Sequence, residues 1–385
     1  MHVIFVNYRE FQGPSGIHIF HLANALSDIN ITSTVLVPDK PENVKGFGEH
    51  RFKVMSFEEA EKNLRENSEA DIIHAWTPRE TTRWMTERLS HRFGIPYIVH
   101  MEDNEEVILA SINLVSRIGR IWQRIQAPFN VKPEPLPHPK KYREFISKAA
   151  GATLLIDKLK KYVPSHVLRT VIWPACEEEI FSMPPEPDTA LRERLGIPHQ
   201  DIVITYPGNV HRANLQDVQD LYDTIRLTRN RGLKVSLIRI GENHVRFRTD
   251  FSSLMGECIF ELGDIPPKHI PSYIRAADIL IQPGKPNLFN EYRFPSKLPM
   301  FLASGRPVIL ANVNIAYYLK HEYNAIILND TRPEEMARAI EKLIQSPQQR
   351  ALIGRAGREF ARQHFSWLQT ANRVASFYNL VLKGD

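Results

Sequence analysis

Cysteine is scarce: Cys176 and Cys258 are the two in 385 residues, and they lie far apart. Such a pair makes neither a disulfide framework nor a metal-binding knuckle, so a reducing compartment is the default expectation. Long apolar runs are missing too, and none reaches the roughly 20 residues that a membrane-spanning helix needs. The chain opens directly on a strand pattern, Val3 to Val6, so no cleaved signal peptide is expected. There is no zinc-finger spacing, arginine-rich tail or aromatic-basic interleaving to favour nucleic acid. The excess of one charge sign is small: 49 Lys and Arg against 44 Asp and Glu give +5, with a pI near 9.0. That balance fits an anionic ligand or a lipid surface and requires neither. Hydrophobic content of 43% and charged content of 24% suit a folded chain, and the length suggests two or three domains.

The patterning is that of an α/β protein. A strand, His2 to Val6, precedes a loop with Gly13-Pro14-Ser15-Gly16, a helical spacing of Ile17, Phe20, Leu22, Ala23 and Leu26, and a second strand, Ser33 to Val37. Strand, helix and strand within 37 residues begin a doubly wound domain, whose first loop sits where phosphates or sugars bind. The loop lacks the full dinucleotide fingerprint, which argues against hydride transfer. Further strands read as Ile72 to His74, Tyr97 to His100 and Thr153 to Ile156, which puts His74 and His100 at strand ends with Glu102, Asp103, Glu105 and Glu106 just beyond. Residues 112–125 form a basic amphipathic pattern with Arg117, Arg120 and Arg124, suited either to packing on the domain or to peripheral contact with an anionic membrane face. A proline-rich loop, Pro133 to Pro139, follows. The stretch Glu177 to Pro187 reads as a hinge.

A second series starts at Ile202 to Tyr206, with the loop Pro207-Gly208-Asn209-Val210-His211-Arg212-Ala213-Asn214. Its central stretch runs from the strand Asp278 to Ile281, through Pro283-Gly284-Lys285 and Pro295-Ser296-Lys297, into an apolar helix and Gly305-Arg306-Pro307-Val308-Ile309-Leu310. Ser296 is placed to cap that helix, and Lys297 adds a positive charge beside it. Amphipathic helical patterns close the chain, the last being Trp367 to Leu382.

These motifs resemble the retaining glycosyltransferases of family 4. The resemblance is carried by Gly13 to Gly16 with Leu22, Ala23 and Leu26, by Asp71 to Ala75, by Pro96 to His100, by Ile172 to Phe181, by Gly263 with Ala276-Ala277-Asp278, and most typically by Ser304 to Ile309. It implies the GT-B fold: two Rossmann-like domains facing a central cleft, with the final helix crossing back to the first. The boundaries expected are 1–174 plus 365–385 for an acceptor-side domain and 175–364 for a nucleotide-sugar domain.

The implied activity is transfer of a sugar from a nucleotide-diphosphate sugar to a glycan, lipid-linked or small-molecule acceptor, on the cytoplasmic side and with no metal or other cofactor required. The alternatives are a noncatalytic binding or scaffold module and a sugar-nucleotide epimerase. The resemblance gives His100 a donor-sugar hydroxyl. Asp103 and Glu291 join His100 as candidate catalytic groups. Gly208, Asn209, Arg212, Asn214, Ser296 and Lys297 are the candidate donor and phosphate set, and Gly13, Gly16, His74, Glu102 and Tyr292 the candidate sugar or acceptor set. Asp103 and Glu105 are the carboxylates open to a metal, with solvation the plainer reading. Tyr292 and Met300 stand where the family usually has glutamates, and Asn209 and Asn214 where it has an arginine and a lysine; Glu291, Arg212 and Lys297 are the nearby replacements.

Overall fold

The computed structural model describes residues 1–11, 13–63, 70–111, 135–246 and 251–384. The basic pattern over 112–125, with its expected membrane contact, and the start of the proline-rich loop at 133–134 lie outside these residues. The chain divides into two compact units: Met1–Pro174 with Tyr292–Phe294 and Trp367–Asp385, and Ala175–Glu291 with Pro295–Ser366.

The first unit is built on a seven-stranded sheet of β1 (His2–Asn7), β2 (Thr32–Val37), β3 (Lys53–Ser56), β4 (Ile72–Trp76), β5 (Tyr97–Met101), β6 (Gly151–Leu154) and β7 (Leu168–Val171). All neighbours are parallel and the order is β3-β2-β1-β4-β5-β6-β7. The chain order reverses between β1 and β4, so the crevice at their carboxyl ends is a switch point, where such sheets bind ligands. The β4 and β5 strands are buried throughout, as parallel strands covered on both faces must be. The β3 edge strand has no apolar run to announce it and is only partly buried.

Three sequence expectations change here. The β4 strand continues through Ala75 and Trp76, so His74 sits in mid-strand and not at its end. Residues Gly13 to Gly16 form the first turn of the helix Gly13–Asp28 and not a loop, with Pro14 where proline is tolerated. On that helix Ile17 is 43% exposed while His18 is 4% exposed, the reverse of the apolar pattern. The start of the helix therefore buries two polar side chains, Ser15 and His18.

The final helix, Trp367–Lys383, belongs to this unit. Its Ala371, Val374, Phe377, Tyr378 and Val381 share one apolar cluster with Val3 and Phe5 of β1 and Ile72 of β4. The approach is close enough to need glycine on β6. A Cβ on Gly151 would lie 2.8 Å from Phe377 Cζ and 3.0 Å from Val381 Cγ2.

The second unit carries a six-stranded parallel sheet of β8 (Ile202–Pro207), β9 (Val235–Ile240), β10 (Ile259–Glu261), β11 (Ile279–Gln282), β12 (Val308–Ala311) and β13 (Ile326–Leu328). The order is β10-β9-β8-β11-β12-β13, with its own switch point between β8 and β11. The crossover from β11 to β12 holds the short helix Leu298–Ala303. Lys297 is its N-cap and no side chain makes a capping bond, so Ser296 does not cap it. Two proline-led helices, Pro333–Gln345 and Pro347–His364, complete the unit. Both units are thus Rossmann-like α/β layers, and among the described residues no helix is long and apolar enough to cross a membrane.

Because Phe377 and Val381 leave no space, Gly151→Ala is expected to destabilise the first unit by about 1–3 kcal/mol. Urea unfolding followed by tryptophan fluorescence measures this; a midpoint equal to that of the wild type would show that the final helix is not tightly seated there.

Candidate functional site

Polar side chains gather at the carboxyl edge of the first sheet, beside its switch point. The β1 strand ends at Asn7, β4 leads to Thr77 and Arg79, β5 brings His100, and the segment after β5 brings Glu102, Asp103 and Glu105. The helix Gly13–Asp28 adds Ser15 and His18 from above the edge. Thr77 is held at φ 76, a left-handed conformation unfavourable for a β-branched residue. Strain of this kind gathers at functional sites.

The centre of the group is His100, which is fully buried. Its ring stacks on Trp76 with centroids 4.0 Å apart and meets His18 edge-on at 5.5 Å. Its Nδ1 is 2.8 Å from Thr153 Oγ1, while Nε2 has no hydrogen-bond partner. His18 Nε2 is likewise buried and unpartnered. Glu102 is fixed from two sides, accepting from Ser15 Oγ at 2.5 Å and from Trp76 Nε1 at 2.7 Å. One ligand atom each from His18, His100 and Glu102 lie within 4.8 Å of one another, a grouping of metal-ligand type that the sequence spacing did not suggest. Two imidazole nitrogens and a carboxylate are a donor set that zinc accepts, provided both nitrogens present lone pairs.

Burial keeps the two histidines neutral. It lowers His18 to about 3, helped by the charge of His21, and holds His100 well below the ordinary range, helped by His18 and His74. Glu102 is raised by burial in spite of its bonds to Ser15 and Trp76. The neighbouring ion pairs centre on Arg79, which stacks over Tyr8 at 4.2 Å and pairs with Asp103 at 3.1 Å and Glu105 at 3.6 Å. Burial opposes the Arg79 charge, but Glu105, Tyr8, Asp103 and Glu102 outweigh it and hold its pKa above the usual value. Glu105 itself is pushed up to about 7 by burial, with Arg79 opposing.

His74 has a different place from that expected. It is fully buried, with Nδ1 2.8 Å from Tyr378 Oη and Nε2 2.9 Å from Thr153 Oγ1. Both nitrogens are occupied inside the unit, so His74 presents nothing to a ligand. Tyr292 belongs to this unit as well, where it is 7% exposed and accepts a short hydrogen bond from Lys161 Nζ.

In the second unit the loop after β8 is held by its own side chains. Asn214 donates from Nδ2 to Asn209 O at 2.9 Å and accepts from His211 N at 2.8 Å. Asn209 Oδ1 accepts from Glu242 N at 3.0 Å. The two asparagines are thus loop-building residues, which explains their departure from the charged pattern of the resemblance. Gly208 is required because the Tyr206 ring folds over it: a Cβ there would lie 2.4 Å from Tyr206 Cζ. Arg212 is exposed on the same loop. Ser296 and Lys297 lie in the β11–β12 crossover, and Glu291, earlier in the same crossover, accepts from Tyr317 Oη at 3.0 Å and 2.9 Å. Lys285, after β11, pairs with Asp220 at 3.0 Å.

The comparisons with known proteins agree with this architecture. Residues 201–346 match the family described as glycosyl transferases group 1. The D-inositol 3-phosphate glycosyltransferase of Thermobispora bispora is 27% identical over 230 residues, which are 56% of this chain and 51% of that one. The chain spans about half the length of this curated relative. A glycosyltransferase from Rickettsia africae superposes with a TM-score of 0.71 at 12% identity, covering 100% of this chain and 99% of the other. HepE of Anabaena, solved in complex with UDP, gives 0.69 at 14% identity, covering 98% and 100%. The chain therefore has the GT-B fold, and its second unit is related to the group 1 glycosyltransferases.

The sequence pointed to His100, Glu102 and Asp103 but missed His18, Ser15, Trp76 and Arg79. A polar residue interrupting an apolar helix face was the available signal for His18. The burial of His18 carries a linkage effect. Its folded pKa lies below its unfolded one, so its neutral burial favours folding fully above about pH 6.5 and loses that effect as pH falls toward about 3. The stability advantage of the wild type over His18→Gln is therefore expected to shrink by up to about 1.4 kcal/mol per pH unit below pH 6.5. Calorimetric midpoints of both proteins from pH 7.5 to 5 check this, and a constant gap would mean that His18 is solvated.

Proposed function

We propose that this chain is a retaining glycosyltransferase that moves a sugar from a nucleotide-diphosphate sugar to a glycan, lipid-linked or small-molecule acceptor. The observation that carries the reading is the set of buried, uncharged and unpartnered polar atoms of His18 and His100 beside Glu102, at the switch point of the first sheet. Sugars are neutral and rich in hydroxyls, and such groups recognise them without the desolvation cost of a buried charge. The family match over 201–346 adds the second component, since it spans the loops after β8 and β11, where α/β sheets take phosphates.

In this reading His100 binds a hydroxyl of the transferred sugar, with Glu102 beside it and Asp103 orienting the acceptor. Gly13 and Gly16 keep the first helical turn slim enough for a ligand to approach. Gly208, Arg212 and Lys297, with the backbone near Ser296, Asn209 and Asn214, face the diphosphate. Glu291 takes sugar hydroxyls. As the bond from the anomeric carbon to the phosphate oxygen breaks, negative charge grows on the diphosphate and positive charge on the sugar ring. Arginine, lysine and backbone amides stabilise the first. No side chain is assigned as a nucleophile, and the reaction takes place in the cytoplasm.

A second reading is a noncatalytic binding module. It is favoured by Asn209 and Asn214, whose side chains hold the loop itself where the family resemblance implies cations.

Titration calorimetry with UDP, GDP, ADP and CDP decides between them. One nucleotide is expected to bind selectively, and Arg212→Ala to weaken it about tenfold, or 1.4 kcal/mol. With the matching nucleotide sugar, His100→Ala is expected to lower kcat about a hundredfold while nucleotide affinity stays the same. A folded protein that binds none of the four would favour the module.

A further inference from the structure

Four side chains from four elements of the first unit form one hydrogen-bonded line. Tyr378 Oη on the final helix lies 2.8 Å from His74 Nδ1, His74 Nε2 lies 2.9 Å from Thr153 Oγ1, and Thr153 Oγ1 lies 2.8 Å from His100 Nδ1. All four residues are fully buried, so no solvent proton enters the line.

A neutral imidazole has one N–H and one lone pair, and each hydroxyl has a single proton to donate. The line therefore has two directions. In the first, Tyr378 donates to His74 Nδ1, His74 donates from Nε2 to Thr153, and Thr153 donates to His100 Nδ1. His100 then carries its proton on Nε2. In the second, His100 donates from Nδ1, Thr153 donates to His74 Nε2, and His74 donates from Nδ1 to Tyr378.

The second direction strands two groups. The Tyr378 proton has no acceptor, since His74 is the one hydrogen-bond partner of Tyr378 Oη among the described residues. The lone pair of His100 Nε2 is unpaired as well. The first direction strands only the His100 Nε2–H. That donor belongs to the His18, His100 and Glu102 group, where a ligand oxygen would complete it. Each direction leaves one buried donor without an acceptor, but the second also leaves a buried lone pair without a donor, so the first direction prevails.

We infer that Tyr378 is a positioning residue: through His74 and Thr153 it fixes His100 as the Nε2–H tautomer, so the site offers a neutral donor to a substrate oxygen. The tautomer follows from the line itself, whereas the substrate oxygen rests on the transferase reading above. The same tautomer keeps a divalent cation off the His18, His100 and Glu102 group, because a metal needs the Nε2 lone pair.

The test is long-range nitrogen–proton NMR of the full chain labelled with nitrogen-15 histidine, with His100→Gln to assign the signals. The wild type is expected to show His100 protonated at Nε2. Tyr378→Phe and Thr153→Val are expected to move population to the Nδ1–H form, and Thr153→Ser to keep the wild-type pattern. An Nδ1–H signal in the wild type, an unchanged tautomer in both Tyr378→Phe and Thr153→Val, or Zn²⁺ binding through His100 Nε2 would overturn the inference. If Tyr378→Phe fails to fold, the Thr153 pair gives the same answer. In a transferase assay Tyr378→Phe is expected to lower kcat about tenfold with donor KM unchanged, and Thr153→Ser to retain activity. The expected tautomer in a protein that transfers no sugar would count against the transferase reading alone.

Discussion

The seating of the final helix on the first sheet governs the site. Phe377 and Val381 close over Gly151 of β6, and Tyr378 beside them reaches His74 in β4. The apolar contact fixes where the phenol lies. The hydrogen-bonded line then carries that placement through Thr153 to His100. Tyr378 thus acts on the residue that best marks the site, although no hydrogen bond joins the two directly. Dry packing is essential to this arrangement, because water beside any member would supply alternative protons and acceptors.

Burial of polar groups without charge is the second theme of the first unit. His18 and His100 are neutral because the sheet and the helix Gly13–Asp28 exclude water, and Glu102 is drawn toward its neutral form for the same reason. The formal charge sits one step away, where Arg79 is matched by Asp103 and Glu105. Such a division separates neutral polar groups from ion pairs within a few residues of chain. The second unit works differently. Its loop after β8 gains order from backbone amides and asparagine side chains, and its exposed cations are carried on flexible side chains.

Much of the fold was legible because parallel strands buried on both faces are written as apolar runs, such as Ile202 to Tyr206 and Val235 to Ile240. The β3 edge strand was not legible, since an edge that is half solvated needs no such run. His100 and Glu102 stood out by their position after a strong strand. His74 misled because the β4 strand continues through Ala75 and Trp76, so the expected end was its middle. Ser296 misled because a helix of one and a half turns began two residues later without a side-chain cap.

The one-dimensional pattern by itself determined two α/β series, a closing amphipathic helix and the edge of the sheet on which the polar residues would stand. Local periodicity and turn chemistry suffice for these, since they depend on neighbours a few positions away. Tertiary structure alone decided that His18 faces inward while Ile17 faces out, that Asn209 and Asn214 hold their own loop, and that Tyr378 lies over His74. Those facts depend on which atoms meet across 304 residues of chain, as for Tyr378 and His74, and on the exclusion of water that follows when they do.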